Sequence, residues 1–249
     1  MTQDPKFDRT RMILGDEVMS RIAEVRVIIL GLGGVGSWCA EGLVRSGLKH
    51  LTVCDADEVS LSNINRQLMA TVKTIGQPKA EALRDRLQEI NPDAEITALN
   101  KVYSEETMDS FNLDSYDYII DAIDTLKEKR LLLCAATRTR AKVFSSMGAA
   151  CKIDPTKVKV AEFWKVRGCP LGAMLRKRMR QNGTLPSRKI KCVYSDEVLE
   201  NRWQPEREGG HLDAKKAVIN GSAAPVTAIF GMTLAGLVLK DLNSKLSEA

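Results

Sequence analysis

The fold of this chain is decided by the stretch Arg26-Val27-Ile28-Ile29-Leu30-Gly31-Leu32-Gly33-Gly34-Val35-Gly36-Ser37, where an apolar run leads into four glycines. Glycine lacks a Cβ atom, so a loop built from it turns tightly and lets an anion approach the backbone. The first N–H groups of a following helix then supply positive potential to a phosphate. The stretch predicts a strand, a phosphate-binding loop and a helix, and hence a nucleotide site in a Rossmann-like α/β fold with a mostly parallel sheet and flanking helices.

A carboxylate nineteen residues beyond Gly36 extends this prediction. Asp55 directly follows a second predicted strand, His50–Cys54. A carboxylate at that place accepts hydrogen bonds from the ribose hydroxyls of a bound nucleotide. NAD and ATP both carry this ribose, so the glycine loop and Asp55 together do not choose between them.

Two cations favour ATP. Arg66 stands near the end of a polar segment that starts at Asp55, and Lys79 follows Gly76-Gln77-Pro78. Pro78 predicts the first turn of a helix, which places Lys79 near the helix N-terminus. Arg66 offers a bidentate fork to phosphate oxygens, and Lys79 offers a compact charge. A departing pyrophosphate needs this stabilisation, whereas a hydride-transferring Rossmann domain has no evident need of it.

A third apolar strand runs into the carboxylates of Asp121-Ala122-Ile123-Asp124. Mg²⁺ prefers carboxylate oxygens together with substrate phosphates and water, so Asp124 is the candidate metal ligand. The alternative is that Asp124 caps a helix predicted over residues 126–137. When Asp124 is considered alone, helix capping is the favoured interpretation. When it is considered together with Arg66 and Lys79, metal binding is favoured.

Four motifs in this order resemble the ubiquitin-activating-like adenylating superfamily: GxGGVGS from residue 31, DxDxVxxSNxNRQ from 55, GQxK from 76 and DAID from 121. The superfamily includes the adenylyltransferases of molybdopterin and thiamine sulfur carriers, and the resemblance covers residues 7–150. It implies ATP and Mg²⁺ as cofactors, with Asp55 on the ribose, Lys79 on the phosphates and Asp124 on the metal. The residues expected at the ATP site are Gly31, Gly33, Gly34, Gly36, Asp55, Asp57, Ser62, Asn63, Asn65, Arg66, Gln67, Lys79, Asp124 and Thr125.

The N-terminal Phe7-Asp8-Arg9-Thr10 is similar to an arginine segment of the same superfamily. The resemblance implies that Arg9 reaches into the nucleotide site of a partner subunit, and that the enzyme is a homodimer. The expected catalytic residues are Arg9, Arg66, Lys79 and Asp124.

Two later stretches, KIDPT at 152–156 and KCVYS at 191–195, are similar to the tRNA threonylcarbamoyladenosine dehydratase branch. That branch implies an ATP-dependent dehydratase. It would adenylate the carboxylate of threonylcarbamoyladenosine in tRNA and close a ring, with release of AMP and pyrophosphate.

Two other functions stay open. The first is an adenylyltransferase that activates the C-terminal glycine of a ubiquitin-like sulfur-carrier protein, with a sulfur-transfer or sulfur-carrier partner. The six cysteines include no Cys-x-x-Cys pair, which argues against the zinc-bearing form of that enzyme. The second is a non-catalytic dinucleotide-binding Rossmann module, which the pair of cations disfavours.

A basic segment favours RNA as a partner. Nine basic residues and no acidic residue lie between Lys165 and Lys191. Such a field attracts a phosphate backbone in a salt-dependent way, although a solvated surface is the alternative. Helical periodicity predicts that Leu171, Met174, Leu175 and Met179 face the core. The expected contacts with tRNA are Arg176, Lys177, Arg180, Arg188 and Lys189.

Length and composition indicate a single α/β domain over residues 1–249, because 44% apolar residues suffice for one core, and the resemblance implies that it is an adenylating domain. It divides into a nucleotide-binding core at 7–150, a substrate or tRNA region at 151–220 and a core helix at 221–241. The charge-free stretch from Gly221 to Leu239 begins with a predicted loop and cap through Pro225, which leaves a helix of about 15 residues, or ~22 Å, too short for the ~30 Å of a membrane span. Scattered cysteines and the polar N-terminus favour the cytoplasm.

Nucleophilic catalysis has one candidate. Arg167 is expected to lower the pKa of Cys169, whereas Cys192 lies in an apolar strand pattern and reads as core. His50 and His211 show no triad spacing with either cysteine, and His211 lies in a polar loop, 204–211, that could close over a substrate. The simplest mechanism needs no cysteine.

Overall fold

The computed structural model describes residues 4–203 and 220–247. The predicted loop at 204–211, with His211, lies outside the described residues. Within them, seven strands form one sheet in the order β3-β2-β1-β4-β5-β7-β6. The strands are β1 (Arg26–Leu30), β2 (His50–Cys54), β3 (Glu95–Leu99), β4 (Tyr118–Asp121), β5 (Lys142–Ser146), β6 (Val158–Glu162) and β7 (Lys191–Ser195).

The sheet is mostly parallel, as the sequence predicted. Only β6 runs antiparallel, against β7. The chain passes from β1 to β2 on one side and later to β4 on the other, so the strand order reverses between β1 and β4. In such sheets a crevice opens at the carboxyl ends of the two strands, and ligands bind there. The glycine loop follows β1 and the segment with Asp124 follows β4, so both border this crevice.

In the described part of the chain, six α-helices cover the two faces of the sheet: α1 (Asp8–Glu24), α2 (Gly36–Arg45), α3 (Lys79–Ile90), α4 (Leu126–Ala136), α5 (Pro170–Gln181) and α6 (Ala224–Ser247). Alternate residues of β1 point to opposite faces, as the pleat requires. Val27 and Ile29 join the core formed with α1, α2, α3 and α6, whereas Ile28 and Leu30 join the core formed with α4 and α5. The predicted α/β layers are confirmed.

The last helix is longer than predicted. α6 has 24 residues, because Lys240 and Asp241 continue it instead of ending it. In the described part of the chain, α6 is the one helix whose length and composition would allow it to cross a membrane. The argument from a short helix is therefore wrong. Its placement as a core helix rests instead on a buried stripe that packs on the sheet, formed by Val226, Phe230, Leu234, Val238 and Leu242.

Candidate nucleotide site

The glycine loop between β1 and α2 is folded so tightly that two of its positions have no room for a side chain. A Cβ atom on Gly36 would lie 1.9 Å from the carbonyl oxygen of Gly31. Gly31 has a φ of +89°, and a Cβ there would lie 2.6 Å from the carbonyl oxygen of Ala122. At Gly33, by contrast, the nearest atom is 4.0 Å away, on Gln67. The loop therefore leaves open space at its middle, where a phosphate can approach the backbone.

Asp55 braces this loop. One carboxylate oxygen accepts a hydrogen bond from the Leu32 N–H at 2.7 Å, and the other accepts from the Asp57 N–H at 2.9 Å. The end of β2 is thereby tied to the turn that follows β1. Contact with a ribose stays a prediction for Asp55, but its position beside the glycine loop is as expected.

Lys79 begins α3 and forms an ion pair with Asp57, with 2.8 Å between Nζ and Oδ2. The lysine side chain is 7% exposed and the aspartate side chain is 74% exposed. Because Asp57 also binds Asp55, a chain of contacts joins Lys79 to the glycine loop. The pair holds the ammonium group in place beside the crevice while leaving its partner carboxylate in water.

Arg66 lies beside the same loop. Its Cγ atom would be 3.2 Å from a Cβ on Gly34. The guanidinium donates to the carbonyl oxygen of Ser62 at 3.0 Å and to the Asn65 amide oxygen at 2.9 Å. The indole of Trp38 in α2 donates to the carbonyl oxygen of Arg66 at 3.1 Å, which fixes the backbone. These bonds use part of the guanidinium fork and leave donors for an anion.

Three amide side chains of this segment differ in their surroundings. Asn63 is buried and its oxygen accepts from the Ser60 N–H at 3.0 Å, so it shapes the turn. Asn65 donates to the carbonyl oxygen of Ser222 at 2.8 Å and joins the turn to the start of α6. Gln67 is buried beside Gly33, and its Oε1 has no hydrogen-bond partner among the described residues. A buried acceptor without a partner calls for a ligand or water.

Asp124 is exposed at the mouth of the crevice. Across residues 4–203 and 220–247 its carboxylate makes no hydrogen bond or ion pair. The capping alternative is wrong, because the N-cap of α4 is Thr125 and no side chain caps that helix. Asp124 is thus a carboxylate left free at the end of a parallel strand.

A single carboxylate suits Mg²⁺ that arrives with a triphosphate. The described residues contain no group of three or more His, Cys, Asp or Glu side chains that could hold a metal ion by themselves. Mg²⁺ commonly takes one or two carboxylates and completes its shell with substrate phosphates and water. The free Asp124, the open Gly33 and the unpartnered Gln67 fit a magnesium triphosphate in this crevice.

A buried ionic cluster lies under Asp124, and the sequence analysis missed it. Lys129 of α4 pairs with Asp121 at 2.6 Å, and both side chains are fully buried. The hydroxyl of Ser145 in β5 donates to the same Asp121 oxygen at 2.6 Å. A lysine eight residues after an aspartate at the end of a strand is not a recognised sequence motif. The pair is therefore visible only in the folded structure.

Arg9 follows a segment that lies near the amino ends of the strands, away from the crevice. Phe7 packs beside Gly47, in the loop before β2, and Lys6 lies 3.7 Å from Asp93, just before β3. These contacts hold the start of the chain at the amino ends of the strands, whereas the crevice opens at the carboxyl ends. Arg9 is exposed in the first turn of α1. It does not join the other site residues within one chain.

The basic segment folds as predicted in part. α5 buries Leu175 and Met179, but Met174 is 49% exposed and does not face the core. Arg176 turns back, because its guanidinium donates to the carbonyl oxygen of Phe163 at 3.1 Å. Lys177 is fully on the outer side.

Two arginines of this segment have different surroundings. The Arg180 guanidinium lies 5.0 Å from the ring centre of Trp164, an indole that is 37% exposed. Arg188 instead donates to the carbonyl oxygens of Thr137, Thr139 and Ala141, which follow α4. Its guanidinium is thereby engaged in holding a loop, whereas Lys189 is exposed.

The cysteine candidates are not presented to a substrate. Cys169 is buried, and its sulfur accepts from the Gly172 N–H at 3.4 Å as the N-cap of α5. Burial raises the pKa of the Cys192 thiol far above its usual value. Among the described residues, neither thiol has the exposed, electropositive surroundings of a nucleophile.

The switch-point crevice, its glycine loop and the order of the four motifs are those of an adenylating enzyme fold, and the chain belongs to the ThiF family, which matches residues 7–248. The tRNA threonylcarbamoyladenosine dehydratase of Bacillus subtilis is 36% identical over 241 residues, covering 95% of this chain and 94% of that protein. The tRNA threonylcarbamoyladenosine dehydratase of Escherichia coli, solved in complex with ATP, superposes with a TM-score of 0.85 at 29% identity. That likeness covers 98% of this chain and 96% of the other.

Sulfur-carrier enzymes match a smaller part of the chain. The molybdopterin-synthase adenylyltransferase of Escherichia coli is 33% identical over 133 residues, which cover 53% of this chain. The similarity to dehydratases extends through the region after β5, where the nucleotide core has ended. The branch suggested by the later motifs is confirmed.

Proposed function

We propose that this protein is an ATP-dependent tRNA threonylcarbamoyladenosine dehydratase. One observation carries the proposal: the crevice between β1 and β4 gathers a phosphate loop, Arg66, Lys79 and a free Asp124, in a chain that matches such dehydratases over nearly its whole length. An adenylating site and the dehydratase-like C-terminal half occur together.

The reaction begins when the threonylcarbamoyl carboxylate attacks the α-phosphate of ATP. A bond forms between the carboxylate oxygen and phosphorus, the bond to the β-phosphate oxygen breaks, and pyrophosphate leaves. Lys79 and Arg66 stabilise the negative charge that develops on the phosphates, because they are held in place before the reaction. Mg²⁺ bound at Asp124 would neutralise phosphate charge.

Ring closure follows from the same modified nucleoside. A nucleophilic atom of the threonylcarbamoyl group attacks the activated carbonyl, AMP leaves, and one water is lost overall. The nucleophile belongs to the substrate, so the protein needs no acyl-cysteine. The burial of Cys169 and Cys192 agrees with this route.

The function is tested by incubating the protein with ATP labelled in the α-phosphate and either of two acceptors. One acceptor is tRNA that carries threonylcarbamoyladenosine, and the other is a ubiquitin-like sulfur carrier. We expect AMP release with the modified tRNA and none with unmodified tRNA of the same sequence. AMP or adenylate formation only with the sulfur carrier would establish the alternative function, and activity with neither acceptor would contradict both.

The outer face of α5 is our proposed contact with tRNA. Lys177 is exposed, and the Arg180 guanidinium lies over Trp164 with no hydrogen-bond or ion-pair partner among the described residues. An arginine held in this way keeps its donors available to phosphate. Arg188 is the weakest candidate among the residues expected to contact tRNA, because its guanidinium already donates hydrogen bonds to three carbonyl groups.

Replacing Lys177 and Arg180 together by Gln should weaken tRNA binding and reduce its salt dependence. Each lost phosphate contact lowers the slope of log K against log salt by about 1, so the double variant should lose about 2. Affinity measured at four salt concentrations gives the slope. Lys49→Gln, an exposed lysine between α2 and β2, is the matched control. An unchanged slope in the double variant would assign α5 to a solvated surface.

We further propose that the enzyme is a homodimer in which Arg9 acts on the partner's crevice. Arg9→Ala and Asp124→Asn should each be inactive alone. An equal mixture should regain about a quarter of wild-type AMP formation, because half of the dimers are mixed and each has one intact site. The mixture is unfolded together and refolded before the assay. If sedimentation shows that the refolded mixture is dimeric but AMP formation is not recovered, Arg9 does not act across the dimer interface.

The cytoplasm is the location that we propose, on the grounds of the tRNA substrate and the unpaired cysteines. A sulfur-transfer partner is not needed by the reaction and belongs to the alternative function.

A further inference from the structure

The ion pair between Lys129 and Asp121 holds the backbone of Ile123 on both sides. The Lys129 ammonium lies 2.6 Å from Asp121 Oδ2 and donates to the carbonyl oxygen of Ile123 at 3.0 Å. The other Asp121 oxygen accepts from the Ile123 N–H at 3.2 Å. Both backbone polar groups of Ile123 are therefore held by the pair, and the next residue is Asp124.

The pair fixes the backbone of Ile123 in addition to balancing its own charges. Removing two charges from water is costly, and their attraction repays that cost only when the geometry is good. Here the geometry is good, since Ser145 supplies a further hydrogen bond to Asp121. The distinctive result of the pair is that the backbone of Ile123 is fixed. Without the pair, the short loop between β4 and α4 would lose both of these hydrogen bonds.

The peptide group between Ala122 and Ile123, whose N–H is held by Asp121, touches the phosphate loop. A Cβ on Gly31 would lie 2.6 Å from the carbonyl oxygen of Ala122 and 2.9 Å from the nitrogen of Ile123. The N–H of Ala122 also donates to the carbonyl oxygen of Leu30, at 2.8 Å. A shift of this segment would thus change the separation between Asp124 and the glycine loop.

We propose that Lys129 is a positioning residue, which acts with Asp121 to set the distance from the Asp124 carboxylate to the phosphate loop. The ligand whose binding would depend on this distance is a divalent cation that arrives with a triphosphate and that Asp124 would help to hold. The inference rests on the proposed function only for the presence of that metal triphosphate and does not depend on the identity of the acceptor.

The first test measures metal binding directly. Mn²⁺ is titrated into the protein with a non-hydrolysable ATP analogue, and bound Mn²⁺ is followed by electron paramagnetic resonance. Groups that orient a metal ligand typically affect affinity by 10–100-fold when removed, so Lys129→Met should weaken Mn²⁺ binding by at least about tenfold. Binding of the analogue without metal should change by less than about twofold, because the phosphate-binding cations are untouched.

The matched control is Leu133→Ala, a fully buried change one turn further along α4. It lowers stability without touching the cluster, so its Mn²⁺ affinity should remain that of the wild type. Should Lys129→Met not fold, the double variant Asp121→Asn, Lys129→Met removes both buried charges and leaves none unpaired. We expect the same loss of Mn²⁺ affinity in it.

Wild-type Mn²⁺ affinity in a folded Lys129→Met or double variant would overturn the proposal, as would an equal loss in Leu133→Ala. The proposed function fails by a different result, namely the absence of AMP release on modified tRNA by the wild-type protein. If the variants lose Mn²⁺ affinity and the wild-type protein releases no AMP with modified tRNA, the positioning role of Lys129 is supported and modified tRNA is rejected as the acceptor.

Discussion

Replacing Asp124 by Asn should abolish AMP formation while leaving the fold unchanged. The side chain is exposed and has no partner within the described ranges, 4–203 and 220–247, so the change removes no internal contact. Asn keeps the shape but lacks the charge that attracts a divalent cation. Loss of one such electrostatic contact costs about 10²–10³-fold in kcat, and we expect the upper end of this range.

The measurement is the rate of AMP release from labelled ATP with saturating modified tRNA. Asp114→Asn is the control, because Asp114 is an exposed aspartate before the amino end of β4. It should keep wild-type activity. Wild-type turnover by Asp124→Asn would show that this carboxylate is not the metal ligand.

Replacing Lys79 by Met should lower kcat/KM for ATP by about 10²-fold or more, because its ammonium group is expected on the phosphates. The thermal midpoint should change little, since the partner Asp57 is 74% exposed and stays solvated when its cation is lost. The lysine side chain is only 7% exposed, but its partner stays in water, so we expect a loss close to the ~0–1 kcal/mol of exposed pairs. Lys73→Met, an exposed lysine on the segment that precedes α3, is the control.

Lys79 and Lys129 show why the surroundings of the partner matter. Losing Lys129 would leave Asp121 charged in a fully buried place, and such losses cost about 3–5 kcal/mol. Losing Lys79 leaves Asp57 in water. We therefore expect the Lys79→Met variant to lose activity while its thermal unfolding midpoint stays close to that of the wild type. A large fall of the Lys79→Met midpoint would mean that this lysine is structural and not a phosphate ligand.

Local signals in the nucleotide half were strong enough to predict its elements. The apolar run before Gly31 became β1, His50–Cys54 became β2 at the predicted residues, and Pro78 came directly before α3. These predictions succeed because backbone chemistry acts over a few residues: glycine permits a turn, and proline favours the start of a helix. Asp55 follows its strand for the same reason.

Predictions about side-chain surroundings were less successful. The sequence suggested that Arg188 is free for RNA and that Cys169 could be a nucleophile, yet the first holds a loop and the second is buried as a helix cap. The Arg188 contacts come from the loop after α4, far away in the chain, and the burial of Cys169 comes from the core that α4 and α5 share. A count of charges or a neighbouring cation does not report those contacts.

By itself, the sequence determined the α/β class, the phosphate loop and the order of the nucleotide-site residues, because these follow from chemistry between near neighbours. Only the tertiary structure decided that Lys129 pairs with Asp121, three residues before Asp124. It also decided that the segment leading to Arg9 lies near the amino ends of the strands, away from the crevice. The physical reason is that strand order and helix packing bring distant residues together. Burial then sets whether a charge is a free ligand, a solvated surface group or part of an internal pair.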